Sequence, residues 1–379
     1  MSFDVTMRCG SALLRCGYTT GTCAALASAA AARLLLTGVR PAVVSLKTPG
    51  GIPVEVEPQS WGVGEESVRC AVQKQAGDDP DVTDGILIFA EVQKTPSGIT
   101  VDGGEGIGRV TKPGLDQSVG AAAINRVPRQ MIADALKAVC EEAGYAGGLS
   151  VVISAPGGEE LARKTFNPML GIEGGISVLG TSGIVEPMSE QALVDTIAVQ
   201  ARQFAAQGWK RVILAPGNYA LDFLRSSLPA LAGVPLLKCS NYIGDALDIA
   251  ALERFEEVLL VGHIGKLVKL AGGVMNTHSR MADCRMELLC AHAACCGAEP
   301  SLCRELLLQP TTDACLALLQ EHALLDAVMQ SLLRSVQHHL DRRASGAFPV
   351  GAVLFSNVHG LLGCTETAKT LLEKWRVSP

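Results

Sequence analysis

EVLLVGHIGKLVKLAGG, residues 257–273, joins a β-branched and aliphatic run to a glycine turn and then to a lysine-bearing helical stretch. A run as short and apolar as EVLLVGH is the pattern of a buried parallel strand, and its turn glycines let backbone N–H groups come close to a ligand. A helix opening at that point would turn its positive end toward the same ligand. The segment continues as VMNTHSRMADCRMELL, so His263, His278, Lys266, Lys269, Arg280 and Arg285 gather around one strand end.

Working outward, the rhythm from Ile176 is strand, helix, strand, helix: ISVLGT, RVILAP, PLLKCS, EVLLVGH and GAVLFSN are the strands, with a helical insert between Met275 and Arg343. Alternation of this kind specifies an α/β fold, here a Rossmann-like doubly wound parallel sheet over residues 176–379. Each strand ends in a short polar or glycine-bearing turn, including Gly180-Thr181-Ser182-Gly183, Gly217-Asn218-Tyr219, Ser240-Asn241-Tyr242 and Gly262-His263-Ile264-Gly265. Ligands of open α/β sheets bind at those carboxyl ends. None of the turns reads G-x-G-x-x-G or G-x-x-x-x-G-K-[ST], which counts against a routine dinucleotide or ATP site.

The first half mixes element types. AVVSLKT, IPVEVEP, SVRCAVQK, GILIFAEVQ, ITVDGG and LSVVISAP read as strands, with helices after Thr22 and over Arg129–Ala143. This predicts a mixed α+β domain over residues 1–156 and a crossing linker over 157–175. Within the domain, DGGEGIGRVTKPGL (102–115) is a glycine-rich loop carrying Arg109 and Lys112, read either as a charged hairpin or as a mobile flap.

A formal net charge of −6 and a pI near 5.7 argue against a nucleic-acid binder, which needs a clustered basic surface, and leave room for a polyanionic small ligand held locally. Thirteen scattered cysteines without a regular framework indicate thiols in a reducing compartment, so a cytoplasmic location is expected. The alanine-rich stretch Thr22–Leu36 is broken by Arg33 and reads as a helix, neither a signal segment nor a membrane span. Cys284, Cys290, Cys295 and Cys296 lack metal-ligand spacing, so no metal is expected. His263 is the candidate acid or base, weighed against a structural histidine. A homo-oligomer is compatible with all of this.

Four stretches carry a resemblance in the same order along nearly the whole chain: LRCGYTTGTCAALA, DGGEGIGRVTKPGL, FNPMLGIEGGISVLGTSGIVEPMS and VGHIGKLVKLAGGVMNTHSRMADCRMELL. They resemble the cobalt-precorrin-5B C1-methyltransferase family, the D protein of anaerobic cobalamin biosynthesis. Arg126, where a proline is expected, and the run AHAACCG depart from the pattern. The resemblance implies S-adenosylmethionine-dependent methylation at C1 of a cobalt-carrying macrocycle, giving cobalt-precorrin-6A, with the cobalt brought by the substrate. On that basis the donor is expected against Gly180, Thr181, Ser182, Gly183, Gly262 and Gly265. The acetate and propionate arms are expected on Lys266, Lys269 and Arg280, with Arg109 and Lys112 from the glycine-rich loop. The rival readings are a nucleotide-dependent oxidoreductase and a noncatalytic corrinoid-binding protein, and binding of S-adenosylmethionine separates them from the methyltransferase.

Overall fold

The computed structural model describes residues 3–9 and 12–377, and the chain divides into two compact units, Met1–Glu190 and Gln191–Pro379. The fold is mixed α/β.

In the first unit a five-stranded sheet runs in the order Gln59–Val63, Ser67–Gln73, Leu87–Thr95, Gly148–Ser154, Ile99–Gly103. Neighbours are antiparallel except for the last pair. Alternation sets the buried face: Val68, Cys70, Val72, Ile88, Ala90, Val92, Val151 and Ile153 all join one core. Helices Thr20–Thr37 and Arg126–Glu142 contribute to that core. They approach closely because the facing side chains are small; a Cβ on Gly21 would stand 2.7 Å from Pro128 Cγ. Thr19 caps the first helix, accepting from the Thr22 N–H, and Gly38 closes it at φ +71°. Among the described residues this is the one helix long and apolar enough to cross a membrane, yet Ala24 to Ala27 and Ala30 to Ala32 are fully buried in the core.

Three expectations need correction here. The unit boundary falls at Glu190/Gln191, not at residues 156–176. ISVLGT is not the opening strand of the second sheet: Ile176 bridges Ile107 and Val178 bridges Ile124, both within the first unit. A short apolar run does not say which sheet it joins. Residues 157–175 are likewise no linker, since Ile172–Glu173 pairs with Arg109–Val110, and buried Asn167 donates to the Gly175 carbonyl and accepts from Ser177.

The glycine-rich loop is pinned rather than a flap. A Cβ on Gly106 would meet Ala155 O at 1.9 Å, one on Gly108 would meet Ile172 Cγ2 at 2.4 Å, and one on Gly175 would meet Gly106 at 2.2 Å. The glycines serve backbone contact, not mobility.

The second unit holds a sheet in the order Leu236–Lys238, Arg211–Ala215, Glu257–His263, Val350–Ser356, Gly360–Cys364. The first four strands are parallel and the last is antiparallel. Val212, Leu214, Val258, Leu260, Val350 and Ala352 enter one core, while Ile213, Ala215, Leu259, Val261, Val353 and Phe355 enter another, so both faces are covered. That is why these strands read as continuous apolar runs. Four helices, Arg285–Cys295, Pro300–Leu307, Thr312–Glu321 and Leu325–Ala344, fill the insert before the fourth strand.

Candidate active site

Numbered along the chain, the strands of the second sheet lie in the order 2-1-3-4-5. The connections therefore leave in opposite directions from the neighbouring strands Arg211–Ala215 and Glu257–His263, and the carboxyl ends of two such strands are where open α/β sheets bind ligands. Gly262 sits at this point because the two turns nearly touch; a Cβ there would stand 2.9 Å from Pro216 Cγ.

His263 ends the strand and caps the short helix Ile264–Leu267, its Nδ1 accepting the Gly265 N–H at 3.1 Å. Gly265 leaves room for this, since a Cβ on it would lie 3.2 Å from that nitrogen. The ring is edge-on to Phe355 at 5.7 Å and tilted toward Tyr219 at 6.2 Å, and Tyr219 is 60% exposed. Burial lowers the His263 pKa, opposed by the nearby Asp313 carboxylate. With Nδ1 committed as an acceptor, the neutral ring carries its proton on Nε2, a hydrogen-bond donor rather than a base.

The cap gives the first prediction. His263→Ala should cost about 1 kcal/mol, the usual value of a lost cap, while His263→Asn should keep most of that stability. Single-turnover activity of the folded Asn variant should fall only a few fold; a loss of about 10²- to 10⁴-fold with ligand binding intact would instead mark a proton-transferring group. The pH dependence has a definite sign. Burial lowers His263, His292 and His339 below their ordinary 6.5, so the unfolded chain takes up protons first as pH falls. Stability should hold above about pH 6.5 and decline below it, and His263→Asn should flatten part of the decline in urea melts.

Lys266 follows within one turn. Its half-buried amine lies 3.5 Å from the Ser240 carbonyl and 3.9 Å from where a Cβ on Gly217 would stand. Among the described residues no carboxylate pairs with it. Burial lowers its pKa, with the neighbouring Cys239 opposing and Lys269 adding to the effect. Cys239 itself is pushed up to about 12 by burial, so it is a neutral thiol.

A second polar group closes the far side of the sheet. Ser356 donates to Asp313 at 2.6 Å and accepts from the Val358 and His359 N–H groups, which fixes the helical insert to the fourth strand's carboxyl end. Sequence reading did not find Asp313. Its signal is the N-cap Thr311 two residues earlier, which marks a helix start without saying what that start faces.

The other expected site residues separate. Lys269 is 2% exposed, and its amine donates to the Thr277 and Ala282 carbonyls at 3.1 and 2.7 Å, so it holds a loop rather than a ligand. Arg280 is exposed on that loop. The turn Gly180-Thr181-Ser182-Gly183 belongs to the first unit, and its backbone closes the N-terminus of the alanine-rich helix. There Gly183 O accepts from Thr22 Oγ1 and Thr19 N, and Ser182 O from Gly50 N. A Cβ on Gly180 would stand 2.3 Å from Thr19 Oγ1, which explains that glycine without a ligand. Arg109 is taken by Asp102 in a bidentate pair at 2.9 and 3.1 Å and by the Gly103 carbonyl. Lys112 is exposed, its stem lying over Gly171. Cys23, at the N-terminus of the alanine-rich helix, is fully buried and its thiol is pushed up to about 12, so it stays protonated. No group of metal-ligating side chains occurs among the described residues.

Sheet order and the half-buried cation together define an α/β protein whose second sheet carries, at its carboxyl end, a lysine without a carboxylate partner among the described residues. Residues 7–187 match the CbiD family and residues 276–366 match the CbiD C-terminal domain. The chain belongs to the CbiD family. It is 50% identical over 348 residues to a cobalt-precorrin-5B C(1)-methyltransferase of Ruminiclostridium cellulolyticum, covering 91% of this chain and 90% of that one. It is 42% identical over 361 residues to the protein of the same name from Alkaliphilus metalliredigens, covering 95% and 94%. A crystal structure of a cobalamin biosynthesis protein (cbiD) from Archaeoglobus fulgidus is 31% identical, covering 73% of this chain and 86% of that one, with a TM-score of 0.40.

Proposed function

We infer that this chain is a methyltransferase acting at C1 of cobalt-precorrin-5B to give cobalt-precorrin-6A in anaerobic cobalamin biosynthesis. The observation that carries the reading is 50% identity, across 91% of the chain, to a protein named for that reaction. S-adenosylmethionine is the methyl donor and supplies an electrophilic methyl group when bound; the cobalt arrives with the substrate. The second unit works as a Rossmann-like donor domain, with the turn around Gly262 and Gly265 as the donor's floor. The carboxyl end of the sheet fits such a ligand, since it offers a half-buried cation without a carboxylate partner among the described residues. Exposed Arg280 meets an acetate or propionate arm of the macrocycle.

Attack of the ring carbon on the methyl group breaks the methyl–sulfur bond, releases S-adenosylhomocysteine and leaves C1 quaternary, so no proton leaves that carbon. The residues' task is then alignment of the two reactants and exclusion of water. His263 contributes a neutral ring whose orientation is fixed by its cap bond, and Ser356 with Asp313 keeps the neighbouring turn in place. Thirteen free thiols suit a reducing cytoplasm.

The test is an anaerobic incubation of the protein with isotopically methyl-labelled S-adenosylmethionine and the deacylated cobalt-precorrin. One label per macrocycle, at C1, is expected. Label at another ring carbon, or none, would refute the reading.

A further inference from the structure

Lys266 sits among groups that give it nothing to neutralise. Its amine is half buried, the adjacent Cys239 is a neutral thiol, and the charge of Lys269 is of like sign. Its one hydrogen-bond partner among the described residues is the Ser240 carbonyl, at a long 3.5 Å. That carbonyl has no other partner there either. A cation and a carbonyl left this loosely engaged are both able to take a stronger partner, and half burial makes the unmet charge costly.

The backbone on both sides is shaped to leave this space. Gly217 adopts φ +121°, and a Cβ there would point to within 3.9 Å of the Lys266 amine. Ser240 adopts φ +52°, a left-handed conformation that costs a serine about 1–2 kcal/mol and fixes the direction of its carbonyl. The two turns follow adjacent strands, Arg211–Ala215 and Leu236–Lys238, and the amine reaches them from the third strand's turn. Three strand ends thus converge on one ammonium and one carbonyl, side by side.

This pairing matches a zwitterion. An α-amino acid head group presents a carboxylate and an ammonium on one carbon; Lys266 complements the first and the Ser240 carbonyl the second. A propionate or acetate arm of the macrocycle would use only the lysine. We propose that Lys266 and the Ser240 carbonyl form the site for the α-amino acid head group of the methyl donor, rather than for a carboxylate arm of the macrocycle. The proposal rests on the methyltransferase reading above and reassigns the lysine that sequence gave to the macrocycle.

Calorimetric titration with S-adenosylhomocysteine and with 5′-methylthioadenosine tests it, because the second keeps the nucleoside and sulfur but lacks the amino acid head. Wild type should bind S-adenosylhomocysteine more tightly. Lys266→Met should lose roughly ten- to hundredfold of that affinity, the scale of one charge-assisted hydrogen bond, and should bind 5′-methylthioadenosine as wild type does. Lys266→Arg should recover part of the loss. The unchanged truncated ligand also certifies that the variant is folded. Equal losses for both ligands, or no loss for either, would overturn the assignment while leaving the methyltransferase reading in place. Retained S-adenosylhomocysteine affinity with weakened binding of uroporphyrin, a polycarboxylate macrocycle, would overturn it in favour of a substrate arm. A wild-type protein that binds neither donor analogue would overturn both readings together.

Discussion

Gly106→Ala should destabilise the first unit by about 3 kcal/mol or more, whereas Gly174→Ala should cost about 1 kcal/mol. Both glycines have positive φ, +71° and +82°, so both substitutions carry backbone strain. Only at Gly106 does the new methyl collide, 1.9 Å from the Ala155 carbonyl oxygen, while nothing lies within 4 Å of the corresponding point on Gly174. The collision is with backbone, which cannot swing aside as a side chain would. Gly158 and Gly175 close on the same residue, each within 2.2 Å of Gly106 if it bore a Cβ. Urea unfolding of the two variants measures the difference. Equal costs would mean that the loop yields to the methyl and is the mobile flap that its composition suggests.

Lys269→Met should cost about 3 kcal/mol, and the loss should appear as loosening of residues 276–284. The substitution keeps the apolar stem but removes the amine from the Thr277 and Ala282 carbonyls. Each orphaned acceptor costs about 1–3 kcal/mol when water cannot replace its partner, and the site is nearly closed, Lys269 being 2% exposed and Thr277 4% exposed. Thr277 N–H also bonds to the Asn241 carbonyl, so the loop is tied to the turn beyond the second strand. Thermal unfolding together with limited proteolysis inside the loop reads both effects. A variant of wild-type stability that has lost only affinity for the macrocycle would restore the ligand-binding role suggested by the cluster of cations in the sequence.

The contrast between Lys266 and Lys269 marks the limit of the linear reading. Both belong to one short segment, GHIGKLVKLAGG, and both look like crevice cations because charge and spacing are all that a sequence displays. Helical geometry turns them to different surroundings: Lys266 toward the strand-end turns, Lys269 into the 277–282 loop. Arg109 shows the same limit, because its pairing with Asp102 depends on how the chain doubles back after Ile99–Gly103.

Other features were legible from local physics. The runs RVILAP, PLLKCS, EVLLVGH and GAVLFSN are strands, the last two buried along almost their whole length, because a sheet covered on both faces requires uninterrupted apolar residues. The alanine-rich stretch is a capped helix because Thr19 and Gly38 bound a run with high helix propensity. The order of the family motifs was a property of sequence alone. ISVLGT went to the wrong unit because a strand-like run carries no record of its partner; only its bridges to Ile107 and Ile124 decide that. The turn 180–183 reads as a ligand site in sequence for the same reason, since glycines that admit a ligand and glycines that admit a neighbouring backbone are spelled alike, and here the backbone closes a helix N-terminus. Sequence by itself determined the elements and the chemistry of the family; tertiary structure decided which glycines and cations were left for a ligand, because availability depends on neighbours distant in the chain.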